Sequence, residues 1–98
     1  MTPFRELDPL LHSQLRLAVM SVLISVDSAD FTYLRDKTGA TAGNLSVQIG
    51  KLKDAGYISV SKSFGDSYPQ TMCRITELGR KKFADYVAAL NDYLKSEG

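Results

Sequence analysis

The stretch from Thr41 to Ile58, TAGNLSVQIGKLKDAGYI, constrains this chain more than any other. Leu45, Ile49 and Leu52 recur at steps of four and three, the spacing of one apolar stripe on an α-helix. Thr41 stands where an N-cap hydroxyl accepts from an orphan amide of the first turn. Gly56 follows the last helical residue, where a left-handed backbone closes a helix. Tyr57 and Ile58 then open an extended run. A helix over about residues 41–55 that runs directly into a strand is therefore predicted. Its stripe is narrow, so the opposite side is free. At about 100° per residue, Gly43, Asp54, Val47, Lys51, Asn44 and Gln48 form one continuous arc. Small and amide side chains with one cation suit a DNA major groove, where Asn or Gln pairs with adenine and a methyl meets thymine.

The rest of the chain arranges itself around that helix. Pro9 fits a first helical turn capped by Asp8, and the first helix spans about residues 10–26. Leu11, Leu15, Ala18, Val22 and Val26 lie on one side of it, and Leu17, Met20 and Ile24 on another. A helix apolar on two sides is covered on two sides, one by its own domain and the other by a second copy of the chain. After a polar break at Asp27–Asp30, Phe31 and Thr32 are expected as a very short strand. Thr32 also caps a second helix over about residues 32–38, with Leu34 in the core. Gly39 and Ala40 make a tight turn. Two short helices joined through a glycine turn, the second with a free polar face, form the helix-turn-helix pattern.

Beyond Gly56, Ile58, Val60 and Phe64 alternate with Ser59, Ser61 and Ser63. Gly65, Asp66, Ser67 and Pro69 carry turn chemistry, and Thr71 to Ile75 alternates again. Residues 57–75 thus read as a two-stranded hairpin, the wing. Thr76 caps a long last helix over about residues 76–95, with Glu77 at its positive end. Phe83, Val87, Leu90 and Leu94 step as a heptad seam, widened by Tyr86, Ala89 and Tyr93, which predicts packing between protomers. The expected fold is mainly α with a small β-hairpin (α+β). It has a three-helix core, a two-stranded wing and a long C-terminal dimerisation helix, in one domain over residues 1–98.

A chain of 98 residues builds one modest core that dimerisation would extend. The net charge of +1 is uninformative, but its distribution is not. Between residues 31 and 75, Arg35, Lys37, Lys51, Lys53, Lys62 and Arg74 face only Asp36, Asp54 and Asp66. The cationic excess sits around the free helix face, as a weak footprint for phosphates. The only cysteine, Cys73, allows no intrachain disulfide and fits a reducing compartment. The apolar run Leu17–Val26 is too short to cross a bilayer and lacks the flanks of a signal peptide. A cytoplasmic protein without a membrane partner is expected.

The candidate DNA contacts follow from this layout. Asn44, Gln48 and Lys51 are base-edge or phosphate candidates, or else an ordinary solvated face. Val47 is placed to meet a thymine methyl, or is a scattered surface residue. Gly43 would permit close approach, while Gly50 has no evident reason. Thr32, Arg35, Thr41, Ser46 and Lys53 are phosphate candidates, though capping or solubility accounts for each as well. Ser67 and Gln70 are candidates for a minor groove, and Arg74 for a phosphate or for supporting the wing. His12 reads as structural and Cys73 as a buried thiol. One His, one Cys, no glycine-rich phosphate loop and no clustered carboxylates leave no nucleophile, metal site or cofactor to assign. No residue pattern indicates a small-molecule effector.

The helix following His12, DFTYLRDKTGAT, NLSVQIGKLKDAGYI and PQTMCRITELGRKKF together resemble winged-helix DNA-binding domains. Within that class the chain is similar to small MarR/ArsR-related transcriptional regulators, over roughly Leu10 to Leu94. TELGR after the hairpin is the most diagnostic piece. The resemblance implies a homodimer built by the first and last helices. The third helix would then sit in the major groove of double-stranded DNA and the wing at the adjacent minor groove. The chain departs from the family pattern where Val47, Gln48 and Gly50 replace the usual cations of the recognition helix. The tip Asp66–Gln70 also carries no cation. Fewer phosphate contacts lower affinity at every DNA sequence. An alternative reading is therefore a protein-interaction module on the same scaffold.

Overall fold

Four helices and a three-stranded antiparallel sheet follow one another in a computed structural model that describes residues 4–64 and 69–95. They are α1 (Gln14–Val26), β1 (Ser28–Asp30), α2 (Phe31–Thr38), α3 (Ala42–Asp54), β2 (Ile58–Phe64), β3 (Pro69–Ile75) and α4 (Glu77–Lys95). The sheet order is β1-β3-β2. Apolar residues from every element meet in one core, with Leu11, Val19, Met20, Leu23, Leu34, Leu45, Leu52 and Cys73 fully buried.

Helix α3 is built as its sequence dictates. The Thr41 hydroxyl accepts from the Asn44 amide at 3.2 Å. Leu45, Ile49 and Leu52 are its buried residues. Gly56 takes φ +82°, the left-handed turn that delivers the chain into β2. In β2, Ile58 is buried beside Ile75 of β3, while Ser59 and Ser61 are exposed on the other face.

Three local expectations are corrected. Helix α1 starts at Gln14, not near Leu10. Asp8 does bond the Leu10 amide at 2.9 Å, but in a turn ahead of α1, and its other oxygen accepts from the Tyr57 hydroxyl at 2.5 Å. The short strand lies at Ser28–Asp30 and fills the free edge of β3, pairing Ala29 with Cys73. The two-stranded wing of β2 and β3 thereby becomes part of a three-stranded sheet. Phe31 opens α2, and Asp30 rather than Thr32 is its cap, accepting from the Tyr33 amide at 2.7 Å.

The start of α4 explains the TELGR segment. The Thr76 hydroxyl accepts from the Gly79 amide at 2.9 Å and donates to the Gly56 carbonyl at 2.7 Å. The Thr76 amide donates to the Tyr57 carbonyl at 3.1 Å. A side chain at position 79 would collide with that carbonyl, so only glycine lets the helix sit this close to the strand.

Residues ahead of α1 run along α4. Arg5 pairs with Asp92 at 2.8 Å, Tyr93 donates to the Arg5 carbonyl at 3.0 Å, and Phe4 stacks on Tyr93. The Tyr86 hydroxyl and His12 Nδ1 share a hydrogen bond at 2.8 Å. His12 is thus a structural residue.

Candidate nucleic-acid interface

The outward side of α3 is free of the protein's own chain. Gly43, Asn44, Ser46, Val47, Lys51 and Asp54 are all exposed, Val47 to 56%. Gln48 is the exception. It is half-buried, and its Oε1 accepts from the guanidinium of Arg16 on α1. Its Nε2 donates to Asn44 Oδ1 at 3.1 Å. The two amides singled out from the sequence therefore form one unit with a third residue. Sequence reading missed Arg16, since nothing local links positions 32 apart.

A groove of about 420 Å³ separates α3 from the sheet, lined by Ser46, Gly50, Lys53, Lys62 and Thr71. Among the described residues no ion pair engages Lys51, Lys53 or Lys62. Lys62 was legible in principle, because it continues the inward alternation of Ile58 and Val60. Gly50 now has a place: a Cβ there would meet nothing within 4 Å, so no packing inside the protein requires glycine. It leaves the groove wall bare between the two lysines.

Other candidates lie elsewhere. Lys62 pairs with Thr71, so Gln70 and Arg74 fall on the opposite face of β3. Arg74 is exposed there, on the face of β3 opposite the groove. Gln70 lines a separate depression with Asp30 and Asp36, an acidic setting that disfavours phosphate. Thr32 and Arg35 are exposed on α2, Arg35 lying 3.9 Å from Asp36. Thr41 spends its hydroxyl on the α3 cap. Ser67 lies outside the described residues.

The candidate dimer residues also divide. Met20 is fully buried in the core and Tyr86 is nearly so, which takes both off the surface. Tyr93 keeps some exposure but bonds the lead segment. Leu17, Ile24, Phe83 and Leu90 are half-buried against the core. Val87 and Leu94 stand out at 40% and 74% exposure. At about 100° per residue, Phe83, Val87, Leu90 and Leu94 share one side of α4 and Tyr86, Ala89 and Tyr93 the next. The chain covers the second side itself and only half-covers the first, where Val87 and Leu94 stand outermost.

Burial first, and then the nearby Asp30 carboxylate, push the Cys73 thiol up to about 11. The reactive thiolate is thus suppressed at neutral pH. A thiol reagent at pH 7.5 should label Cys73 only at the rate of unfolding, which timed mass spectrometry would check. Rapid labelling of folded protein would contradict the burial seen here. No helix among the described residues is long and apolar enough to cross a membrane.

Known proteins resemble this arrangement closely. An uncharacterised protein of Methanocaldococcus jannaschii is 30% identical over 76 residues, covering 78% of this chain and 83% of its own. A transcriptional regulator homologue from Pyrococcus horikoshii OT3 superposes with a TM-score of 0.82 at 26% identity, over 87% of this chain and 84% of that one. A MarR family transcriptional regulator from Silicibacter pomeroyi gives a TM-score of 0.66 at 24% identity, over 81% of this chain and 52% of that one. The family described as the winged helix DNA-binding domain matches residues 15–94, and this chain belongs to it.

Proposed function

We propose that the protein is a homodimeric transcriptional regulator that binds double-stranded DNA sequence-specifically. Helix α3 enters the major groove and the wing lies at the adjacent minor groove. The observation that carries this reading is the exposed α3 face, flanked by the Lys53–Lys62 groove that one phosphate strand would follow. These lysines compensate for the cation-poor tip. The dimer rests on Val87 and Leu94, the exposed apolar residues on the seam side of α4. A two-fold pair would read half-sites about 34 Å apart.

Selection of bound sequences from a random DNA pool tests the reading, with Asn44→Ala as control. A pseudo-palindromic site is expected, with affinity falling with salt at a slope near about −5 if roughly six phosphates are held. Replacing Lys53 and Lys62 together by Ala should flatten that slope by about two per half-site, equally for all sequences. Gly50→Ala should raise the melting temperature, since helix propensity favours Ala by about 1 kcal/mol. The same change should weaken DNA binding by crowding the groove. The second reading, a protein-interaction module, is motivated by the tip at residues 66–70 without a cation. Weak, salt-independent DNA binding beside a stoichiometric protein partner would favour it.

A further inference from the structure

The relay from Arg16 through Gln48 to Asn44 has a direction that chemistry imposes. A guanidinium offers five donors and no acceptor. Only the amide oxygen of Gln48 can face Arg16, so its Nε2 must face Asn44, and Asn44 must answer with Oδ1. Arg16 is itself held, with Nε donating to the Leu10 carbonyl at 2.5 Å. Two amides that could each be turned end for end are therefore locked by one cation. Asn44 is exposed, and its Nδ2 hydrogens are unspent among the described residues.

Resting on the DNA-binding reading above, we infer that Arg16 is a positioning residue that fixes the polarity of the α3 face. Asn44 is thereby presented to the groove as a donor. The matching major-groove edge is guanine, whose N7 and O6 both accept. Adenine fits less well, because bidentate pairing with it needs the amide oxygen too. The sequence alone suggested adenine for these amides, and the relay reverses that order.

The experiment measures base preference at the position Asn44 contacts, by competition among operators that differ only there. The parent should favour guanine over adenine by about tenfold. Arg16→Lys keeps a donor-only cation and should keep the preference. Arg16→Met should lose it to within about threefold, with an unchanged salt slope. Should Arg16→Met fail to fold, Gln48→Glu gives an independent reading. It keeps the Arg16 partner but can no longer donate to Asn44. Asn44 must then turn Nδ2 inward and Oδ1 outward, moving the preference toward cytosine, whose N4 donates. An unchanged preference in Arg16→Met or in Gln48→Glu would overturn the inference. A salt slope lowered by about one per protomer at fixed preference would make Arg16 a phosphate contact instead. A parent that selects DNA without favouring guanine sinks this inference alone. A parent that selects no DNA sinks the DNA-binding reading and the inference with it.

Discussion

Gly79→Ala should abolish the fold or lower its stability by more than about 3 kcal/mol, the scale of severe overpacking. The added Cβ would overlap the Tyr57 carbonyl oxygen, with Ile75 Cγ1 only 3.1 Å away on another side. Overpacking is mild when a flexible side chain can swing aside. Here the obstacle is backbone, already fixed by the Thr76 amide at 3.1 Å and the Thr76 hydroxyl at 3.0 Å. The helix start would have to lift off β2, undoing the cap that Thr76 provides. Urea unfolding followed by circular dichroism measures the effect. Gly43→Ala in α3 is the control, since a Cβ there meets nothing within 4 Å. If Gly79→Ala unfolds alongside the parent, the docking of α4 on the sheet is wrong.

Val87→Glu should convert a dimer into folded monomers and cost operator binding about a hundredfold or more, the avidity lost when two linked half-sites become one. Val87 is 40% exposed in the protomer, so the charge has water to face and the separated protomer should stay folded, as circular dichroism would check. Between two copies the same carboxylate would be desolvated without a partner, a penalty no seam of Phe83, Leu90 and Leu94 offsets. Sedimentation gives the mass and fluorescence anisotropy the affinity. A variant that sediments and binds as the parent does would move the dimer contact away from α4.

These two positions differ in how far the sequence foretold them. The apolar side of α4 that holds Val87 was legible because helical periodicity is local. The cap and closing turn of α3 were legible for the same reason, each being written within four residues. Wherever the outcome turned on a distant partner, local reading went astray. Asp8 has the chemistry of a helix cap, yet Tyr57, 49 positions on, claims half of its carboxylate. Ser28–Asp30 is too short to show alternation and is a strand only because β3 offers an edge. Tyr86 and Tyr93 looked like part of the seam until residues 4–12 folded over them. Arg16 sat unnoticed in a helix read for its apolar sides. Gly79 was part of a recognisable motif, but its reason is a carbonyl 22 positions earlier, visible only in three dimensions.

The lead along α4 also bears on the order of assembly. Its ties join positions 74 to 88 apart in the chain, and such distant closures form late, after local helices and the hairpin have lowered the entropy still to be lost. Few, polar and in part exposed, the same ties should open first, so amide exchange at His12 should outpace that at the buried positions of α3. The Leu10 carbonyl that steadies Arg16 belongs to this late-closing strap. The last part of the molecule to settle is therefore two hydrogen bonds away from the pair of amides that would read a base.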